Sequence, residues 1–250
     1  MLTEERKQTI LNRIEQQGIV KNTVLAKELN TSMSTIRRDL QELEEEQLIR
    51  RVHGGATKLQ PLTKEDSLLD KTSKFVQEKK QIAKMAASYV KDNMVIFLDA
   101  GSSTFEMIPY LKQKQLTVVT NSVAHASELI RQHIPTYIIG GMIKENTNAI
   151  VNATALAQLR EMRFDLSFIG TNSVSEDFGY ATTDTEEASI KHLAMTHSHT
   201  AYILADHSKF DASSFITFAN LDEAILITDD HPSDCKEHIK AIIPIKEVSQ

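Results

Sequence analysis

Residues 30–43 read Asn30-Thr31-Ser32-Met33-Ser34-Thr35-Ile36-Arg37-Arg38-Asp39-Leu40-Gln41-Glu42-Leu43. Ile36, Leu40 and Leu43 recur at i, i+4 and i+7, which predicts a helix over about 33–46 with one apolar stripe. Upstream, Asn30-Thr31-Ser32 is a short polar turn. A helix is predicted before it over 23–29, with Asn22 as its cap and Val24, Leu25 and Leu29 on its buried side. The first helix covers 3–17, with Thr3 as its cap, acidic Glu4 and Glu5 in its first turn and Gly18 as its stop. Downstream, 48–52 reads as a strand, His53-Gly54-Gly55 as a turn and 56–59 as the return strand. Two short helices, a tight turn, a longer helix and a strand–Gly-Gly–strand form a winged helix-turn-helix, whose third helix is built to enter the major groove.

Helical geometry separates the two faces of that third helix. At about 100° per residue, Arg38 and Ser34 lie nearly opposite the buried Ile36, with Thr35, Arg37 and Gln41 flanking them. Arginine pairs bidentately with guanine, and serine and threonine serve bases or phosphates. Ser34, Thr35, Arg37 and Arg38 are therefore candidates for DNA contact. Arg50 and Arg51 beside the wing, and His53 and Gly54 at its tip, are candidates for phosphate or minor-groove contact. Taken alone, an Arg-Arg pair reads equally well as an ordinary solvated helix face. The triple Glu44-Glu45-Glu46 reads as a solvated end pointing away from DNA.

The chain of 250 residues has a formal net charge of −6, which at first argues against a nucleic-acid partner. Its distribution is uneven: residues 1–58 carry 10 Lys/Arg against 9 Asp/Glu, and the remainder carries 18 against 25. DNA binding depends on the field of one face, not on the total. A single cysteine, Cys235, excludes a disulfide within the chain and fits a reducing cytoplasm. The N-terminus lacks an apolar signal core, and no apolar run approaches the roughly 18–20 residues that span a bilayer. No membrane partner is expected.

Residues 58–73 are polar, contain Pro61 and show no periodicity. The chain is therefore divided into a winged helix-turn-helix at 1–58, a linker at 59–74 and a second domain at 75–250. An amphipathic helix over 75–90 opens that domain. Apolar runs at 94–98, 116–119, 137–139, 166–169, 202–204 and 224–227 then alternate with helical stretches at 104–112, 123–131, 153–162 and 185–197. Runs this apolar suit strands buried on both faces of a parallel sheet, and the alternation predicts an open α/β architecture.

Its chemistry is concentrated in loops. Ile96-Phe97-Leu98-Asp99-Ala100-Gly101-Ser102-Ser103-Thr104 is a buried strand running through a small-residue loop into a helix. Backbone N–H groups and hydroxyls at such a turn suit an anion. It lacks the Gly-Lys-Ser/Thr of a nucleotide-hydrolysing loop and the glycines of a dinucleotide fingerprint, so no cofactor is implied. Polar loops also follow other strands: Thr120-Asn121-Ser122, Gly140-Gly141, Gly170-Thr171-Asn172 and Ala205-Asp206-His207-Ser208-Lys209. Open sheets bind ligands beyond the C-terminal ends of their strands, so these loops can converge on one pocket. Asp99, Gly101, Ser102, Ser103, Thr104, Asn121, Gly141, Asn172, Lys191, Asp206 and Lys209 are the candidate effector residues. Singly, each also reads as a cap or a surface group. His197-Ser198-His199 lacks further ligands at metal-site spacing, so no metal is expected.

Two sets of residues carry a family resemblance. Ser34–Leu40 followed by Arg51-Val52-His53-Gly54-Gly55-Ala56 resembles the signature of the DeoR family of bacterial repressors. One departure is Gln47, where the family usually has glycine. The Asp99–Thr104 loop, Thr120-Asn121-Ser122, Gly140-Gly141, Gly170-Thr171-Asn172 and Asp206-His207-Ser208-Lys209-Phe210 resemble the sensor domain of that family, which is similar in fold to ribose-5-phosphate isomerase. The resemblance implies a cytoplasmic repressor of a sugar-utilisation operon, a double-stranded DNA operator, a phosphorylated sugar as effector, and a homo-oligomer. Within the family, Phe168–Asn172, Thr182–Ala188 and Ala205–Phe210 look closest to fructose-operon repressors, which implies fructose 1-phosphate. Two other readings stay open. One is a sugar-phosphate isomerase with an added DNA module, drawing on Asp99, Asp184, Glu186 or Asp206. The other is an activator or architectural protein.

Overall fold

The computed structural model describes residues 2–52, 54–59, 61–64, 67–113, 115–210, 212–230 and 241–242. The chain divides into two units, Met1–Pro61 and Leu62–Gln250. His53 and Cys235 lie outside the described residues.

The first unit runs α1 (Thr3–Gln17), β1 (Ile19–Lys21), α2 (Asn22–Glu28), α3 (Met33–Glu45), β2 (Ile49–Val52) and β3 (Gly55–Lys58). Ile10, Ile14, Leu25, Ile36, Leu40, Leu43 and Ile49 form its buried core. The sheet has the order β1-β3-β2 and both pairings are antiparallel. Strand β1 was not legible, because three residues are too few to display alternation. Gly55 is required where it pairs: a Cβ there would lie 2.1 Å from the Val20 carbonyl oxygen.

Three local expectations need correction. The cap of α1 is Leu2, not Thr3; its N–H donates to the Glu5 carboxylate at 3.1 Å, and Thr3 is already helical. Asn22 is likewise inside α2, with Lys21 as its cap. Val24 is 42% exposed, since a helix of seven residues turns only a narrow stripe inward and Leu25 occupies it.

The acidic end of α3 is not simply solvated. Glu46 pairs with Lys7 at 2.9 Å, and Glu44 accepts the Arg51 N–H at 2.8 Å. Just beyond α3, Gln47 has φ +57°, the left-handed conformation that suits glycine. Gln47→Gly should therefore stabilise the first unit. Relief of the left-handed penalty, about 1–2 kcal/mol, outweighs the added freedom of the unfolded chain, about 0.4–1 kcal/mol. A urea titration should register a gain of roughly 0.5–1 kcal/mol; a loss would mean that Gln47 makes a compensating contact.

The second unit contains α4 (Leu68–Ser73), α5 (Val76–Ala87), β4 (Val95–Leu98), α6 (Ser102–Phe105), β5 (Thr117–Thr120), α7 (Val123–Arg131) and β6 (Thr136–Ile138). It continues through β7 (Met142–Ile143), β8 (Ile150–Val151), α8 (Ala153–Arg160), β9 (Phe164–Gly170), β10 (Ser173–Ser175) and β11 (Gly179–Thr182). The last described elements are α9 (Thr185–Thr196), β12 (Ser198–Leu204), β13 (Ile216–Ala219), β14 (Ile225–Ile227) and β15 (Ala241–Ile242). A seven-stranded sheet has the order β15-β14-β12-β9-β4-β5-β6, and all its pairings are parallel. Successive side chains serve opposite faces: Ile96, Leu98, Phe168 and Leu204 pack with Ile82 and Ala86 of α5, while Phe97, Ile169 and Ile203 pack with residues of α8 and α9. Both faces are thus covered by helices, as the unbroken apolar runs demanded.

Elsewhere the fold departs from expectation. The stretch 59–74, read as linker, contains α4. The helix expected over 104–112 is the four-residue α6 and a separate 3-10 turn, Ile108–Tyr110. Pro109 has no N–H to continue the helix and its ring crowds the preceding turn. Tyr137 and Ile138 of β6 are exposed, because β6 is the sheet's outer strand and only one side of it is paired. A second, antiparallel sheet of order β10-β11-β13 and the hairpin β7–β8 were not anticipated. Among the described residues no helix is long and apolar enough to cross a membrane.

Candidate functional site

In the first unit, Ser32 caps α3 by accepting the Thr35 N–H at 3.1 Å. Its hydroxyl also meets those of Ser34 at 2.8 Å and Thr35 at 2.9 Å. Ser34 and Thr35 are thus tied into one hydroxyl cluster at the start of α3. Arg37 and Arg38 project from the next turn and are exposed; Arg38 lies 3.9 Å from Glu42. Arg51 is exposed on β2 with its guanidinium 3.9 Å from Glu44, Arg50 is half-buried, and Gly54 is exposed in the wing turn. Asp39, between the outward arginines and the core, is fully buried and clamped by Arg6 at 2.5 and 2.9 Å. Nothing in the apolar pattern marked that pair.

In the second unit, Gly170 ends β9, and Asp99, Asn121 and Asp206 follow the C-terminal ends of β4, β5 and β12, all at one edge of the sheet. A cleft opens there. Six of the eleven candidate effector residues line it: Gly101, Ser102, Ser103, Asn172, Lys191 and Lys209. Among the described residues, the Ser102 and Ser103 hydroxyls make no hydrogen bond, although both residues are largely buried. Two hydroxyls at the cleft are thus without a protein partner among the described residues.

The other five do not line it. Asp99 is buried beneath the loop, paired with the Lys191 ammonium and accepting the Gly170 N–H at 3.0 Å. Lys191 also donates to the Gly170 carbonyl at 3.1 Å. Asn121 is buried and accepts the Ala100 N–H at 3.0 Å, so it braces the loop from behind. Asp206 is fully buried; one carboxylate oxygen accepts from Ser208, and the other has no hydrogen-bond partner among the described residues. Gly141 belongs to the β7–β8 hairpin, where a Cβ would lie 2.5 Å from the Val151 carbonyl oxygen.

Thr104 turns inward as well. Its hydroxyl lies 2.6 Å from the Asp99 carbonyl and 3.1 Å from His125 Nε2. His125 Nδ1 lies 2.7 Å from the Ser122 hydroxyl. If Thr104 donates to Asp99, the network is satisfied by a neutral ring that donates from Nε2 and accepts at Nδ1. Burial pushes the His125 pKa down to about 4, against the opposing pull of Asp99. The unfolded chain therefore takes up a proton first as pH falls. The stability His125 supports is complete above about pH 6.5 and is lost progressively towards pH 4, by roughly 3 kcal/mol in all. Thermal transitions of the second unit at pH 7 and pH 4.5 should display this loss, and His125→Gln should reduce it. Equal acid sensitivity in the two proteins would assign it to other groups.

Residues 6–61 match the family described as DeoR-like helix-turn-helix domain, and residues 74–230 match the DeoR C terminal sensor domain. The chain belongs to the DeoR family. It is 45% identical to the uncharacterized HTH-type transcriptional regulator FruR of Bacillus subtilis, over 92% of each chain. It is 33% identical to the HTH-type transcriptional regulator GlpR of Haloferax volcanii, over 96% of each. It is 31% identical to the lactose phosphotransferase system repressor of Staphylococcus epidermidis, over 96% of this chain and 98% of that one. Among solved structures, ribose 5-phosphate isomerase A of Methanocaldococcus jannaschii aligns over 53% of each chain with 21% identity and a TM-score of 0.40, too slight a likeness to carry chemistry.

This DeoR-family chain also lines its cleft with residues that sequence reasoning passed over: Leu68, Lys71, Thr147, Thr171 and Glu187. Glu187 is buried, 2.8 Å from Lys144 and 2.9 Å from the Thr147 hydroxyl. Asp184 accepts the Glu186 and Glu187 N–H groups at 3.0 and 2.9 Å and so caps α9, while pairing with Lys144 at 3.2 Å. Thr171 and Glu187 carried a prior signal, in the Gly170-Thr171-Asn172 loop and the Thr182–Ala188 run. Lys71 and Leu68 lay in the supposed linker, and Thr147 in a hairpin loop without a motif.

Proposed function

We propose that this DeoR-family regulator is a repressor of a sugar-utilisation operon, released from DNA by a phosphorylated sugar held in the cleft at the sheet's C-terminal edge. The observation that carries the effector reading is the pair of unengaged hydroxyls at Ser102 and Ser103, set in a cleft shared with Lys209. Hydroxyls, backbone N–H groups and cations together suit a phosphate. Fructose 1-phosphate is the first candidate, from the resemblance of Phe168–Asn172, Thr182–Ala188 and Ala205–Phe210 to fructose-operon repressors. Ser34, Thr35, Arg37, Arg38, Arg50, Arg51, His53 and Gly54 supply the operator face. The active form is a homo-oligomer that reads paired half-sites.

The catalytic alternative is disfavoured by what its carboxylates do. Asp99 is neutralised by Lys191, Asp184 caps a helix, and neither Asp206 nor Glu186 lines the cleft. A general base must reach its substrate with a free, tuned carboxylate.

The effector half is tested by a thermal-shift panel of fructose 1-phosphate, fructose 6-phosphate, tagatose phosphates, glucosamine 6-phosphate, glycerol 3-phosphate and the free sugars. A ligand at 100 times its Kd adds about 2.7 kcal/mol, a shift of several degrees. A shift from one phosphorylated sugar alone names the effector; no shift from any sinks the sugar-phosphate reading. The DNA half is tested by Arg38→Ala. Loss of a bidentate base contact, about 1–3 kcal/mol, should weaken operator binding about 10- to 100-fold, with the thermal transition unmoved because Arg38 is exposed. Operator affinity within twofold of the parent would displace Arg38 from the base-reading face.

A further inference from the structure

The side of the second unit that carries β6 is apolar and open. The Pro135 carbonyl accepts the Val118 N–H at 2.9 Å, and the Ile139 N–H donates to the Thr120 carbonyl at 3.1 Å. Bonds to a parallel neighbour come from alternate residues, so the N–H and C=O groups of Thr136 and Ile138 point away from β5. Among the described residues no strand pairs with that outer side. Proline or charge within a strand commonly blunts such an edge, and Thr136-Tyr137-Ile138 has neither. Val123 and Ile130 stand seven apart on α7, which packs on β6, and so share one flank of the helix. The Val123 N–H donates to the Asn148 carbonyl at 3.4 Å, which joins that flank to the hairpin whose strand β7 carries Met142 and Ile143. These four residues, with Tyr137 and Ile138, are each 36–66% exposed. At roughly 200 Å² for a fully exposed large apolar residue they present about 600 Å² on one copy, the upper end for a patch on a monomer. Two such patches bring together about 1,200 Å², the threshold of a stable specific interface before backbone and polar rim are counted.

We propose that β6 pairs antiparallel with β6 of a second copy, so that the two seven-stranded sheets become continuous across a twofold axis. The proposal rests on the homo-oligomer reading given above and names the surface that forms it. The outward groups are self-complementary: Thr136 exchanges backbone hydrogen bonds with the partner's Ile138, and Ile138 does the same with the partner's Thr136. Tyr137 then meets the partner's Tyr137 on the axis, at the non-hydrogen-bonded position where Cα atoms approach to about 4.5 Å. Tyr137 also borders an apolar hollow of about 360 Å³ shared with Val119, Met162 and Phe164, which gives the second ring a place to pack. On α7 the charges of Glu128 and Arg131 are paired with each other at 2.6 Å, so that helix brings no net charge to the contact. Two copies joined in this way carry two DNA-reading helices, as paired half-sites require.

The test uses the full chain. Sedimentation equilibrium gives the association state of the parent, of Tyr137→Lys, of Tyr137→Glu and of an equimolar mixture of the two variants, and far-UV circular dichroism checks the fold of each. Both variants should fold, because Tyr137 is exposed in a single copy. A residue that meets itself on the axis sets like charges against each other, so each variant alone should self-associate about 100-fold more weakly or worse. The mixture should regain the association, since opposite charges then face each other. Association of both variants at the parent's strength puts the interface elsewhere and overturns the proposal while the homo-oligomer reading stands. Dissociation of both variants without recovery in the mixture overturns the twofold pairing at residue 137. A parent that is monomeric at tens of micromolar overturns both readings and leaves the open edge to a different partner.

Discussion

Lys191→Met is expected to lower the thermal transition of the sensor unit by roughly 10 °C. Lys191 and Asp99 are both nearly inaccessible, with side-chain exposures of 5% and 2%. Removing one partner of a buried ion pair leaves the other uncompensated, at a cost of about 3–5 kcal/mol. A unit of this size loses about 2–4 °C per kcal/mol. Among the described residues, the Asp99 carboxylate then keeps only the Gly170 N–H at 3.0 Å, and the Gly170 carbonyl loses the donor it had at 3.1 Å. Lys191→Met combined with Asp99→Asn should recover part of the loss, since no unpaired charge remains. Calorimetry of the parent, both single variants and the double variant closes the cycle. A single Lys191→Met variant within 2 °C of the parent would show that the pair contributes no net stability.

Asp39→Ala should be the most damaging change in the first unit. Arg6 forks onto Asp39 from α1 to α3, and Asp39 is fully buried. Arg6 keeps 10% of its side chain in solvent, so the cost falls at the lower end of the range for broken buried pairs, about 3 kcal/mol. A unit of some sixty residues has only about 3–9 kcal/mol to lose. Its transition should fall by roughly 12–24 °C, and operator binding should disappear because α3 is no longer held. Urea unfolding followed by far-UV circular dichroism, set beside sensor-specific fluorescence, separates the two units. Retained DNA binding at 37 °C would mean that Lys7, Glu42 and Glu46 suffice to join the two helices.

Both predictions concern charges that the sequence placed differently. Asp39 sits between Arg38 and Leu40, and its residue type alone suggests solvent. Lys191 was read as a ligand for phosphate, yet its ammonium is already engaged by Asp99. A buried ion pair joins residues far apart in sequence, 33 positions for Arg6–Asp39 and 92 for Lys191–Asp99. No local periodicity records such a partner. The same holds for Thr104, whose hydroxyl looked like a third donor beside Ser102 and Ser103. One turn of helix directs it inward to His125, a residue with no motif of its own.

Local pattern was enough where an element's own residues decide its burial. Ile36, Leu40 and Leu43 specified the third helix, the six apolar runs specified six strands of the parallel sheet, and Gln47 adopts the left-handed conformation that a glycine would have served. Burial of one stripe or of both faces is written into period and apolarity, so the sequence by itself determined the winged helix, the α/β class and the loops that gather at one sheet edge. Which members of those loops meet in the cleft was settled only by tertiary structure. The direction of a short side chain such as Ser103 or Thr104 depends on partners brought in by other strands, and α4 lines the cleft through Leu68 and Lys71 with Asn146 and Lys79, which lie outside it, bonded to its ends.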